Sequence, residues 1–378
     1  MTESQHRSIL LTDYMSQVEP TDRLAADDLQ PILLGLFGEV GSIMATAKKL
    51  HREREVYSGY RYAVEEEFGD ALWYFTSLCR RLNQRLDEIL SEASTGQDYS
   101  VQVAANDLVD GPISRIATPV ITTELDPALL VLGEATSKLF SFRESRSDPK
   151  NHLVEFAKAY LQSLKAARVA FAEVVRKNIV KTKGRFMPPD LAAMPTFDMA
   201  FPEDQQLPQR FEIVIDQRGK NPRSYLKMNG VFIGDPLTDN ILDPDGYRFH
   251  DVFHFAHAAI LHWSPTFRAL VRHKRKDDQV VDEAQDSGRA IVVEEGLTAW
   301  IFSRAKELNF FAGQTGISFD LLKTVQQFVS GYEVEACPLS LWEIAILKGY
   351  EVFRQVKQNS GGVVIGDRAA RTINYRTL

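Results

Sequence analysis

Three carboxylates stand where two amphipathic helices are expected to meet. They are Glu39 in Gly38-Glu39-Val40-Gly41-Ser42, and Glu67 and Asp70 in Glu65-Glu66-Glu67-Phe68-Gly69-Asp70-Ala71-Leu72-Trp73-Tyr74. Side chains three residues apart share a helix face, and converging carboxylates make an oxygen-rich cage suited to Mg²⁺, the ion that manages phosphate charge. This donor set points to phosphate-ester or phosphoric-anhydride chemistry. Acidic residues on a helix are more often simply solvated, and that reading fits any one pair here; two sets on neighbouring helices weigh against it.

The helices that would carry them are read from apolar spacing. After Pro31, Leu33, Leu36, Val40, Ile43, Ala47 and Leu50 recur at intervals of three and four, one buried stripe. A second stripe runs Val64, Phe68, Ala71, Phe75, Leu78, Leu82. Glu67 and Asp70 each precede a stripe residue, so they lie at the edge of the buried face, shielded yet able to reach an ion. Glu65 and Glu66 need no such placement.

The stretch Leu34-Gly35-Leu36-Phe37-Gly38-Glu39-Val40-Gly41-Ser42, the following Lys48-Lys49, and Glu66-Glu67-Phe68-Gly69-Asp70-Ala71-Leu72-Trp73-Tyr74 resemble the MazG family of all-α nucleoside triphosphate pyrophosphohydrolases. The family pattern is Glu-x-x-Glu on one helix and Glu-x-x-Asp on the next, holding Mg²⁺ over the triphosphate. The first motif here reads Glu39-x-x-Ser42, a hydroxyl in place of one expected carboxylate. The family's later Asn-x-x-Lys is matched by Asn178-Ile179-Val180-Lys181, with Arg185 beyond. The resemblance implies that Glu39, Glu67 and Asp70 hold Mg²⁺, with Mn²⁺ as its substitute. It implies that Glu66 or one of the three orients the attacking water, and that Lys48, Lys49, Asn178, Lys181 and Arg185 meet the nucleotide. Taken alone, basic residues at a helix end are ordinary complements of the helix dipole.

A repeat accounts for the distance between these pieces. Val131-Leu132-Gly133-Glu134-Ala135-Thr136-Ser137 echoes the first motif, and Glu155-Phe156-Ala157-Lys158-Ala159-Tyr160 echoes the second with Lys158 in place of the Asp. Residues 1–187 thus read as one helical domain of two helix pairs, 30–95 and 127–185, joined by the stretch 92–127.

Composition bounds the rest. The chain has 378 residues, 44% hydrophobic and 25% charged, which suits a globular protein with sizeable cores. A net charge of −7 argues against a general nucleic-acid binder, whose affinity rests on basic surface. Cys79 and Cys337 lie in apolar helical contexts and suggest no disulfide framework. No signal peptide and no apolar run near the roughly 20 residues of a membrane span is read. The cytoplasm is the expected location and no membrane partner is expected.

Prolines at 188, 189, 195, 202 and 208 mark 188–208 as an extended linker over the surface. A β unit over 209–240 follows: strands 211–215 and 225–228, and a hairpin turn at Asn229-Gly230, where both residues tolerate positive φ. Residues 363–365 and 372–375 are candidates for a further strand.

The helical segment 241–378 holds a second chemical cluster. Five of the eight histidines fall between 250 and 273, and His250-Asp251-Val252-Phe253-His254 opens a helix with two histidines on one face. A later helix offers Glu294 and Glu295. A divalent transition metal suits such donors, although histidines near a helix start more often serve structural hydrogen bonds, and independent supporting roles for His254 and Glu294 are the expectation. Lys274-Arg275-Lys276 is followed at once by acidic residues and reads as a solvated loop.

The expected architecture is mainly α: a nucleotide-pyrophosphatase-like helical domain, a small hairpin bridge, and a helical C-terminal domain. The expected activity is Mg²⁺-dependent conversion of a nucleoside triphosphate to the monophosphate and pyrophosphate, in a homodimer or larger homo-oligomer as the resemblance implies. Two other readings stand beside it. One is a nucleotide sensor or scaffold weakened by Ser42; the other is a metal-dependent phosphohydrolase centred on His250, Asp251, His254 and Glu294.

Overall fold

The computed structural model describes residues 11–25, 28–57, 59–94, 125–143, 148–219 and 222–378. The chain forms two compact units, Met1–Met187 and Pro188–Leu378, and it is mainly α with one small antiparallel sheet. Most of the joining stretch 92–127 lies outside the described residues.

The first unit contains α1 (Leu11–Val18), α2 (Gln30–Glu53), α3 (Tyr60–Arg81), α4 (Leu86–Ser94), α5 (Leu125–Lys138), α6 (Lys150–Ala166) and α7 (Phe171–Phe186). Both apolar stripes face one core: Leu33, Leu36, Val40 and Ile43 of α2 and Phe68, Ala71, Phe75 and Leu78 of α3 are buried together. Phe75 and Phe156 pack at 4.5 Å between centroids, joining α3 to α6. Asp28 starts α2 by accepting from the Gln30 amide at 2.8 Å, with Pro31 in the first turn, where its missing N–H does no harm. By length and mean hydropathy α2 is long and apolar enough to cross a membrane, contrary to the sequence expectation. Its stripe is spent in the bundle core, as in a core helix, while Leu34 and Phe37 stay exposed.

The second unit is built on β1 (Arg210–Arg218), β2 (Arg223–Met228), β3 (Val231–Leu237), β4 (Gly361–Asp367) and β5 (Thr372–Arg376), in the order β3-β2-β1-β4-β5. Phe211, Ile213 and Ile215 alternate inward along β1, the central strand. The hairpin turns at Asn229 (φ 51°) and Gly230 (φ 80°), as their permissive backbones foretell. It is not a separate bridge, because β4 and β5 from the chain's end complete its sheet. Around it lie α8 (Asp251–Ala256), which widens into a π turn (His257–Leu261), α9 (Pro265–Val271), α10 (Gln279–Val281), α11 (Gly288–Glu307), α12 (Phe319–Phe328) and α13 (Leu339–Asn359). Phe253, Phe302, Tyr350 and Phe353 fill the core between α8, α11 and α13.

The proline-rich segment 188–208 belongs to the second unit: it runs over the surface, many of its residues exposed, and is pinned there through buried Asp198, Gln205 and Leu207. Its prolines lack N–H groups and leave carbonyls to be satisfied, and buried arginines supply the donors. Arg371 donates to the carbonyls of Met194 (3.1 Å) and Pro195 (2.9 Å), Arg275 to Phe197 (2.8 Å) and Arg268 to Gln205 (2.9 Å). Asp198, fully buried, takes Arg268 at 2.7 Å and Arg368 at 2.6 Å. Arg275 itself is 1% exposed and pairs with Asp286 and Glu333 at 2.6 and 2.7 Å, so the basic run at 274–276 is not a wholly solvated loop.

His262 closes the π turn and is buried, its Nε2 2.8 Å from the Arg368 carbonyl. Burial, then Arg368 and Arg371, lower its pKa from 6.5 to about 4. The folded chain therefore binds the proton less readily than the unfolded one, so stability present above pH 6.5 is lost as pH falls toward 4, by on the order of 3 kcal/mol. Urea melts between pH 7 and pH 4.5 are expected to show a steeper loss for the wild type than for His262→Gln; equal slopes would place the acid sensitivity elsewhere.

Candidate functional site

The first unit assembles its site from three helices. Glu39 comes from α2, Glu67 and Asp70 from α3, and a ligand oxygen of each lies within 4.8 Å of the others, all three half-buried. Burial, then the charges of Asp70 and Glu67, push Glu39 up to about 8. Three carboxylates so placed repel one another, and a divalent cation relieves that repulsion where a proton otherwise must. The donors are hard oxygens, which suits Mg²⁺.

Helix α7 supplies the basic side. Lys181 reaches Glu66 at 2.7 Å and Asp70 at 2.5 Å. Burial opposes its charge, but Asp70 and Glu66 outweigh burial and raise its pKa. Asn178 is 2% exposed; its amide nitrogen lies 3.4 Å from Asp70, and its carbonyl oxygen accepts from the Tyr14 hydroxyl at 2.8 Å. A Cβ on Gly69 would meet the Asn178 Cβ at 3.1 Å, so the glycine lets α7 close on α3. Asn178 and Lys181 thus join the carboxylates. Lys48 and Lys49 are not among the partners described for them: Lys48 is exposed, and Lys49 lies over the Tyr57 ring (4.2 Å) and 3.9 Å from Glu53. Arg185 stacks its guanidinium 5.6 Å from the Phe186 ring. Ser42 is half-buried on α2, one turn beyond Glu39.

Several participants carry no local signal. Glu65 is 2% exposed rather than solvated, paired with Lys177 and, at 3.0 Å, with Arg61. Glu66 also has a defined partner in Lys181. Tyr14 belongs to the network from 164 positions away. Tyr74 feels Glu39 and Asp70, which with burial raise its pKa; its ring crosses α2 at Gly35, where a Cβ would stand 2.1 Å from the ring. In the second helix pair, Glu134 and Glu155 are both bridged by Lys138, at 3.3 and 2.8 Å, and all three stay solvent-accessible. That copy neutralises its own acids.

The second unit also brings its cluster together. Glu294, fully buried, lies 3.2 Å from His254 Nδ1 and 2.9 Å from His257 Nδ1, so His254 and Glu294 are direct neighbours rather than independent. It also accepts from the Ser264 hydroxyl and the Thr266 amide, both at 3.0 Å. His254 and Glu295 approach to 3.3 Å, and His250 and Glu295 to 3.5 Å. Asp251 is buried beside them, its pKa raised by that burial. His257 is a member the sequence reading omits; its i, i+3 spacing from His254 was the available signal.

The helix crossing at Gly35 is directly testable. Gly35→Ala forces the Tyr74 ring aside and is expected to destabilise the first unit by about 1–3 kcal/mol in urea unfolding. An unchanged midpoint would show that the ring yields without strain.

Residues 192–378 match the MazG C-terminal domain family. The MazG-like resemblance is therefore supported, through the C-terminal half and not through the N-terminal motifs that suggested it. Comparison with curated proteins and with solved structures gave no match.

Proposed function

We propose, for a MazG-like chain whose residues 192–378 form a MazG C-terminal domain, that the first unit is a divalent-metal-dependent nucleoside triphosphate pyrophosphohydrolase. The observation that carries this reading is the convergence of Glu39, Glu67 and Asp70 within 4.8 Å, beside Lys181 and Asn178. The acids fit Mg²⁺ or Mn²⁺, and Lys181 and Asn178 fit a phosphate and a hydroxyl or phosphate oxygen.

In the proposed reaction a water oxygen bonds to the α-phosphorus, the α–β bridging P–O bond breaks, and pyrophosphate leaves with the bridging oxygen. When bound, the cation would draw charge from the triphosphate and lower the pKa of the attacking water. Glu39, Glu67 and Asp70 would hold it in place. Glu66 orients the water and takes its proton. Lys181 moves its charge toward the leaving pyrophosphate, where a fixed cation counts most in a partly dry site. Tyr14 fixes the carbonyl end of Asn178, so the amide nitrogen is presented to the site. Exposed Leu34 and Phe37 on α2 and Leu130 and Val131 on α5 support assembly into a homodimer or larger homo-oligomer.

The sensor reading rests on Ser42, which supplies no charge. One assay separates the two: nucleotide binding without pyrophosphate release at high protein concentration selects the sensor.

Two substitutions test the site. Asp70→Asn removes one negative charge at the edge of the core without opening a cavity; pyrophosphate release is expected to fall by at least ~100-fold with the circular-dichroism spectrum unchanged. A folded, fully active variant removes Asp70 from the metal site. Ser42→Glu places a fourth carboxylate one turn from Glu39, and the Mg²⁺ concentration giving half-maximal activity is expected to drop. If that concentration does not move, position 42 faces away from the ion.

A further inference from the structure

The second unit carries a cluster that the proposed hydrolysis does not use. His250 and His254 sit one turn apart on α8, and Glu295 faces them from α11. In each histidine the Nδ1 is directed elsewhere. His250 Nδ1 lies 2.9 Å from the Tyr247 carbonyl, with the Tyr247 ring stacked on the imidazole at 4.3 Å and 5°. His254 Nδ1 faces Glu294 at 3.2 Å. The two Nε2 atoms are thereby turned toward the two oxygens of Glu295, at 3.5 Å from His250 and 3.3 Å from His254.

Those distances are longer than hydrogen bonds between charged groups and match the spacing of a ligand set. Charge-assisted N–H···O bonds close to about 2.7–2.9 Å. Donor atoms that share a transition metal at about 2.1 Å stand about 3.4 Å apart, the edge of a tetrahedron of that radius. A second observation is independent of the spacing: His254 is 0% exposed, yet neither of its ring nitrogens has a hydrogen-bond partner of acceptable geometry. A buried imidazole in that condition is costly unless something else engages it.

Glu294 and Glu295 are sequence neighbours with different tasks. Glu294 is saturated by Ser264, Thr266 and His257 and is fixed in place; it stands behind His254 on the Nδ1 side and leaves the Nε2 side to Glu295. The Glu295 side chain is 37% exposed, so its side of the cluster opens to solvent. We propose that His250 Nε2, His254 Nε2 and Glu295 form a binding site for a divalent transition metal, of the two-histidine, one-carboxylate kind, with coordination positions open on the Glu295 side. Nitrogen donors favour Zn²⁺, Fe²⁺ or Co²⁺ over Mg²⁺ and Mn²⁺, so this site and the all-oxygen site of the first unit select different ions.

The test uses the full, tag-free chain. After removal of metal with chelator, Co²⁺ is titrated in and the visible d–d absorption of the bound ion is followed, with metal content of the untreated protein measured in parallel. About one equivalent per chain with the intense spectrum of a nitrogen-bearing low-coordinate site is expected. Asp70→Asn should bind Co²⁺ at this site as the wild type does, while Glu295→Gln and His250→Ala should lose it by at least ~100-fold. Co²⁺ should also raise the melting temperature of the wild type and not that of Glu295→Gln. No Co²⁺ spectrum in the wild type, or an unchanged one in folded Glu295→Gln, overturns the proposal. If either variant fails to fold, the wild-type spectrum and thermal shift decide alone.

Discussion

A charge taken out of water must find a partner within a few ångströms, and both units are organised around that requirement. Among the described residues of the second unit, Arg268, Arg275, Arg368 and Arg371 are buried, and their donors reach Asp198, Asp286 and Glu333, carbonyls of the proline-rich strap, and the carbonyls of Ile260 and His273. Strap, α9 and the end of β4 are thereby tied by ion pairs, and Arg371 adds the π turn through a hydrogen bond to the Ile260 carbonyl. In the first unit Glu65, buried in α3, is answered by Lys177, and Asp70 by Lys181, so α7 is docked through electrostatics as much as through its apolar face. Gly69 provides the clearance that lets α7 approach α3, and Gly35 makes room for the Tyr74 ring against α2.

The two candidate sites show how differently the requirement is met. At Glu39, Glu67 and Asp70 the negative charge exceeds what Lys181 returns, and burial together with that surplus raises the pKa of Glu39. At His254 burial opposes the imidazolium, but Glu294 and Glu295 outweigh it and hold the pKa well above the usual imidazole value. The first arrangement presents clustered carboxylate oxygens; the second presents a buried imidazole that its carboxylate neighbours approach without hydrogen-bond geometry.

Local patterns were the legible part of the sequence. Stripes at three and four residues foretold α2 and α3, Asn229-Gly230 foretold its hairpin, and the spacing of Glu67 and Asp70 placed both on one face. Long-range partners were not legible. Nothing near Tyr14 announces Asn178, and no local feature of Glu65 tells that Lys177 will bury it. Proline density foretold an extended segment over 188–208 but not its anchors, because whether such a segment is pinned depends on Arg268 and Arg371, far along the chain. Glu294 and Glu295 were inseparable because adjacent helical residues point about 100° apart, and only the packing of α11 decides which one is enclosed. The echo of the carboxylate motif in α5 and α6 was visible, but not that Lys138 would occupy it.

Lys181 has one further consequence. Held on Asp70 and Glu66, it behaves as a tethered cation, present at the site at an effective concentration of order millimolar or higher. Any free ion must compete with it for Asp70. A polyanion that draws the lysine toward itself frees the oxygen at the moment that it delivers its own ion, so on the proposed reading the pocket accepts metal and nucleotide as a pair more readily than either alone. On that reading joint arrival is written into one side chain, and the site would guard itself against ions that come without cargo.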